Sequence, residues 1–150
     1  MSETNAIVIF GASGDLTRRK LVPSLYDLYR KGRLPDEWRI IGVARSDYSD
    51  ETFRAHVEEG TKEFAKATYD AKTWRAFEKN ITYFRGDITE FEQLQAVDKT
   101  LCEWEDGRPG NRLYYLSIAP NLYEETIKSL GEADMVHETH GWRRVVIEKP

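Results

Sequence analysis

Cysteine is all but missing from this chain: Cys102 is the single one among 150 residues, so no internal disulfide can form. A lone thiol suits a reducing compartment, and the expectation is a cytoplasmic protein. Long apolar runs are also lacking, since none approaches the roughly 20 residues a membrane-spanning helix requires, and the amino-terminal MSETNA is polar, without the apolar centre of a signal peptide. Neither secretion nor membrane insertion is expected. Positive charge is not in excess: 22 Lys and Arg face 26 Asp and Glu, a net charge of -4. That balance gives no general attraction to nucleic acid or to an anionic membrane. Repeats and low-complexity segments are missing as well, as are the phosphate-loop pattern G-x-x-x-x-G-K-[ST] and the dinucleotide fingerprint G-x-G-x-x-G. The expectation that remains is one soluble domain, long enough to bury a substantial core.

What is present is organised around Ala6 to Lys20, AIVIFGASGDLTRRK. Ala6 to Phe10 is an apolar run without alternation, the mark of a strand covered on both faces of a parallel sheet. Gly11 and Gly14 bracket a tight turn in which a positive φ is allowed and a missing Cβ lets backbone approach a ligand. The helix that opens next aims its unpaired first-turn amides above the strand end, a setting that suits a phosphate. The pattern is G-x-x-G-x-x-T, with Thr17 where the usual fingerprint has a third glycine, so from these residues alone a plain turn stays open beside a phosphate-binding one.

Along the chain, Leu21, Leu25, Leu28 and Tyr29 recur at helical spacing and Gly32 supplies a stop. Pro23 either sits in the first turn of the regular helix or kinks it. A strand follows from Arg39 to Ala44. The spacing then predicts a helix from Ser49 to about Lys66 on Phe53, Val57 and Phe64, a break at Asp70, and a second helix over Thr73 to Lys79 on Trp74 and Phe77. Ile81 to Phe84 reads as a strand and Arg85-Gly86-Asp87 as a turn. Phe91, Leu94, Val97, Leu101 and Trp104 mark another amphipathic helix. Glu105 to Asn111 reads as a polar loop, Arg112 to Ile118 as a strand closed by Ala119-Pro120, and Asn121 as the N-cap of a helix bearing Leu122, Tyr123, Thr126, Ile127 and Leu130 that Gly131 ends. Arg143 to Ile147 is the last strand. Such alternation implies right-handed crossovers and a Rossmann-like α/β fold, a doubly wound parallel sheet with helices on both faces.

Ligands of these sheets bind outside the carboxyl ends of the strands, so the candidate site gathers Gly11 to Leu16, Arg45, Ala119, Pro120, Tyr123, Glu148 and Lys149. Arg45 is the most informative. NAD-selective enzymes place a carboxylate at the end of the second strand, whereas a guanidinium there suits the 2′-phosphate of NADP; an ordinary surface arginine is the other reading, and Asp47 two residues on tempers the first. Arg18, Arg19 and Lys20 either favour a polyphosphate or form a solvated helix face, and Asp15 is read as bonding first-turn amides. Tyr123 lies over a nicotinamide or packs in the core. Lys149, before Pro150, either holds a substrate hydroxyl or phosphate or is an ordinary strand-end lysine. Metal binding is not expected, because His137 and His140 do not make H-E-x-x-H spacing. Cys102 has no adjacent histidine, and His56 reads as structural.

Four segments, GASGDLTRRKLVPSLY (Gly11 to Tyr26), GVARS (Gly42 to Ser46), NRLYYLSIAPNLYE (Asn111 to Glu124) and GWRRVVIEKP (Gly141 to Pro150), resemble the amino-terminal part of the glucose-6-phosphate dehydrogenase family. The resemblance runs the whole length in order, and the pairing of the first and last segments is highly specific. It implies oxidation of glucose 6-phosphate to 6-phosphogluconolactone in the pentose phosphate pathway, with hydride passing from the sugar C1 to NADP. By position it implies that Gly11, Ala12, Ser13, Gly14, Asp15 and Leu16 line a pyrophosphate turn, that Arg45 meets the 2′-phosphate, and that Ala119, Pro120 and Tyr123 lie by the nicotinamide half. It further implies that Lys149 contacts substrate and cofactor, with Pro150 in cis, and that the parent is a homo-oligomer. The family's catalytic histidine segment, R-I-D-H-Y-L-G-K, does not occur in these 150 residues, nor does a carboxyl-terminal substrate domain. The expectation is therefore residues 1–150 as a dinucleotide-binding domain, inactive alone, with a non-catalytic nucleotide-binding module or sensor as the alternative.

Overall fold

Successive side chains of β1, Thr4–Phe10, enter two different apolar cores: Ala6, Val8 and Phe10 one, Ile9 the other. That is why the run shows no alternation; both faces of the strand are covered, so neither register position has to be polar. The chain, seen here as a computed structural model that describes residues 3–138 and 141–147, adds β2 (Trp38–Ala44), β3 (Ile81–Arg85), β4 (Gly110–Leu116) and β5 (Arg143–Ile147). All neighbours are parallel, in the order β3-β2-β1-β4-β5. Helices α1 (Val22–Arg30), α2 (Asp50–Phe64) and α3 (Ala71–Glu78) cover one face through Tyr26, Phe53, Val57, Trp74 and Phe77. Helices α4 (Phe91–Glu105) and α5 (Tyr123–Glu132) cover the other through Leu94, Val97, Leu101 and Leu130. The result is the Rossmann-like doubly wound sheet expected. Strand order reverses between β1 and β4, and there the helices part to leave a crevice above the strand ends.

Caps set some of the helix boundaries. Ser49 and Thr52 form a reciprocal capping box at α2, and Asp70 accepts from Thr73 N at 2.9 Å to start α3. Gly32, at φ +69, ends α1 as expected, with Arg33 N donating to Leu28 O.

Several boundaries differ from the sequence reading. Pro23 does lie in the first turn of α1, but the chain is already helical before it: Thr17–Leu21 winds as a wider π turn closed by Val22 N to Thr17 O. Such a turn makes room where the proline ring would otherwise meet the Arg19 carbonyl. β4 takes up Gly110 and Asn111, read as loop, because they pair with Thr4 and Asn5 of β1, and it stops at Leu116 rather than Ile118. Asn121 caps nothing; Pro120–Leu122 forms a tight 3-10 turn and α5 starts behind it without a side-chain cap. Gly131 stays inside α5, and Asp134, at φ +59, takes the left-handed end position, with Met135 N donating to Leu130 O. Leu28, Phe64, Phe91 and Ile127, which the helical stripes place inward, are exposed; on α1 the residues turned fully onto the sheet are Val22 and Tyr26, with Leu25 partly buried against the same core.

Candidate functional site

The turn after β1 is fixed by backbone alone. Gly11 sits at φ +81, and a Cβ on it would lie 2.0 Å from the Ser117 carbonyl oxygen, so only glycine lets the turn nest against the end of β4. Gly11 N and Ala12 N both donate to Val43 O, at 2.8 and 3.2 Å, and Gly14 N closes the turn on Gly11 O at 3.0 Å. Gly14, unlike Gly11, does not take a positive φ. Ala12 turns its methyl into the core, where Gly42 leaves room for it. Three amides are thus spent inside the protein, and the helix start at Asp15 and Leu16 is where amides lack intrahelical acceptors.

Above the strand ends lies a crevice of about 520 Å³, within the size range of small-molecule sites. Its wall brings together Gly11 and Ser13 from the turn after β1, Arg45 and Ser46 from just past β2, Gly86 to Thr89 from the loop after β3, and Ile118, Leu122 and Glu125 from the region after β4. Arg45 is exposed, and no described residue makes an ion pair with it. Its loop is nevertheless held: the Tyr83 hydroxyl reaches from β3 to Ala44 O at 3.1 Å and Ser46 O at 2.6 Å. Burial pushes that phenol up to about 12, with a further push from Tyr48. Asp87 accepts from Thr89 N and Oγ1 at 2.9 and 2.7 Å, and these bonds, aided by nearby Arg45, hold its carboxyl below the usual range.

Not every residue expected at the site lines this crevice. Asp15 points elsewhere: its carboxylate accepts from Arg19 Nη1 at 3.1 Å instead of bonding first-turn amides. Asp15 and Leu16 share a separate shallow hollow with Arg19 and Lys20. Arg18 pairs with Glu63 at 3.2 Å, and both Arg18 and Arg19 lie over the Phe64 ring, so these two cations tie the π turn to α2. Ala119 and Pro120 are exposed beside the crevice, their neighbours Ile118 and Leu122 supplying its wall. Tyr123 is half-buried against the core that holds Phe10 and Leu116. His56 stacks beside Tyr48 at 5.3 Å, held below the usual histidine range by burial and by Arg18. Lys149 and Pro150 lie outside the described residues. The β3 contribution, Gly86 to Thr89, is what sequence reading missed: Arg85-Gly86-Asp87 signals a turn, and only the place of β3 beside β2 turns it toward the crevice.

Residues 8–150 match the family model described as "Glucose-6-phosphate dehydrogenase, NAD binding domain". The chain belongs to the glucose-6-phosphate dehydrogenase family. It is 36% identical to the glucose-6-phosphate 1-dehydrogenase of Chlamydia pneumoniae, matching 96% of this chain and 29% of that protein. The Bacillus subtilis relative of the same name is 37% identical over 96% of this chain and 29% of its own length. A solved glucose-6-phosphate dehydrogenase in complex with its substrate glucose 6-phosphate superposes with a TM-score of 0.86 at 34% identity, covering 99% of this chain and 31% of that one. The Mycobacterium avium enzyme superposes with a TM-score of 0.83 at 30% identity, covering 98% and 30%. This chain therefore spans about 30% of the family members it matches, the part that carries the dinucleotide-binding fold. No helix among the described residues is long and apolar enough to cross a membrane.

Proposed function

We propose that the crevice binds NADP and that the protein to which these residues belong oxidises glucose 6-phosphate to 6-phosphogluconolactone in a reducing cytoplasm. The observation that carries the cofactor choice is Arg45: a guanidinium stands exposed at the end of β2, in the crevice wall, where selectivity for NAD would call for a carboxylate. The glycine turn fits the rest of the cofactor, because Gly11 brings backbone close to the crevice and the helix start behind it favours a pyrophosphate. Bound NADP would accept the hydride. This chain's own share is to hold and orient it, and Lys149, in the E-K-P segment, is proposed to reach both substrate and cofactor. The base that takes the sugar hydroxyl proton is proposed to belong to the family's histidine segment, which these residues do not include.

Titration of NADP and NAD into the chain tests the cofactor reading. Arg45→Ala is expected to weaken NADP by about 1.5–3 kcal/mol, the worth of a charge-assisted contact, and to leave NAD nearly unchanged; equal weakening of both would overturn the 2′-phosphate role. For the reaction, a chain extended through the histidine segment is expected to form NADPH from glucose 6-phosphate. An inert extended chain would overturn the enzymatic reading.

A further inference from the structure

We propose that Arg85 is a second ligand for the cofactor's 2′-phosphate and that Asp47 competes with the phosphate for it; the proposal rests on the NADP reading above and extends it to a residue the strand-end argument did not reach. β2 and β3 are parallel neighbours, with Ala44 opposite Arg85, so the chain leaves β2 at Arg45 directly beside the Arg85 backbone. Arg85 Nε donates to the Arg45 carbonyl oxygen at 3.2 Å, which fixes one guanidinium against the other's backbone. The two arginines, with Gly86, Asp87 and Gln93, line a small cleft of about 280 Å³. This cleft shares Arg45, Gly86 and Asp87 with the main crevice, so it is a side arm of the same site.

The charge arrangement decides which ligand the arm suits. Arg85 Nη1 meets Asp47 Oδ1 at 3.5 Å, with the two side chains 62% and 85% exposed. That separation is longer than a good charge-assisted hydrogen bond, and an exposed pair of this kind is weak. A phosphate dianion offers more charge and several acceptor oxygens to the same planar fork, so it displaces the carboxylate. Asp87 is the acid that lines the arm, and its Oδ1 is committed to Thr89, whereas Asp47 reaches Arg85 from beside the arm. Two guanidinium groups thus border the arm, with Asp87 tied down by Thr89 and Asp47 the acid that can exchange at Arg85. Arg45 and Arg85 clamp the phosphate, and Asp47 sets how much binding gains when the phosphate arrives.

Calorimetric titration of the 150-residue chain with NADP, NAD, adenosine 2′,5′-bisphosphate and AMP separates these roles. Arg85→Ala is expected to lower the affinities for NADP and the bisphosphate by about threefold to tenfold, with NAD and AMP within about twofold of the parent chain. Asp47→Asn is expected to raise the affinity for the two phosphorylated ligands by about twofold to fivefold. Arg85→Gln serves if the alanine variant does not fold, and Arg85→Lys should recover part of the loss. If Arg45→Ala weakens NADP while Arg85→Ala and Arg85→Gln bind it like the parent, the Arg85 role is overturned and the NADP reading stands. Equal loss for NADP and NAD in the Arg85 variants also overturns it. A parent chain that does not prefer NADP to NAD overturns both.

Discussion

At Gly11 the backbone has φ +81 and a methyl group would approach the Ser117 carbonyl oxygen to 2.0 Å, so alanine there meets two penalties at once. The left-handed conformation alone costs on the order of 1–2 kcal/mol for a residue with a Cβ, and the contact forces the end of β4 away from the end of β1. Gly11→Ala is accordingly expected to lower the urea unfolding midpoint and to abolish measurable dinucleotide binding. Gly14→Ala should do much less, because its added carbon meets only Gly11 O, at 3.2 Å. Unfolding and titration of the two variants side by side check this, and equal damage from both would show that the turn, rather than its fit against β4, is what matters. Both glycines are visible in the sequence; that only the first has a carbonyl behind it is not, because Ser117 is over a hundred residues away.

Between β4 and α4 the decisive element-level feature is a buried ion cluster. Arg112, 2% exposed, donates to both carboxylate oxygens of Glu105, at 2.9 and 2.8 Å, and to Asp98 at 2.6 Å. The acids come from α4 and the arginine from β4, so the cluster locks that helix to the strand that ends at the crevice. Removing the cation leaves acidic groups in a low-dielectric setting, and Arg112→Ala is expected to cost about 3–5 kcal/mol of stability. Chemical denaturation measures it; a loss below about 1 kcal/mol would mean that the acids find solvent by moving. Composition places Glu105 to Asn111 in a polar loop, yet Glu105 is the buried partner of Arg112 and Gly110 is a strand residue. Polarity predicts exposure only until a counter-charge is brought to it. The same limit explains the exposed Leu28 and Phe64: helical spacing defines a stripe, and the sheet chooses which neighbouring stripe is buried.

For the molecule as a whole, two tyrosines set an alkaline limit. Tyr69, whose hydroxyl donates to Glu58 at 2.6 Å, is raised from 10.0 to about 12 by burial and then by that carboxylate. Tyr83 is raised from 10.0 to about 12 chiefly by burial. A phenol whose folded value exceeds its unfolded one favours the folded state fully below pH 10, and the advantage falls away as pH rises toward about 12. The melting temperature is therefore expected to drop between those limits, and Tyr69→Phe should flatten the slope; an unchanged slope would show that the phenol is already ionised in the folded chain.

The sequence by itself determined the class of fold, the glycine turn and the place of Arg45 just past the end of β2, because an unalternating apolar run, a missing Cβ and a charge at a strand end act through neighbours close along the chain. Only the tertiary structure decided that β3 lies beside β2 and brings Arg85, Gly86 and Asp87 to the crevice, that Arg18 and Arg19 serve α2, and that Asp15 faces Arg19 instead of the helix amides. Those outcomes depend on which groups far apart in sequence come within a few ångströms, and strand order and helix rotation set that only when both cores close.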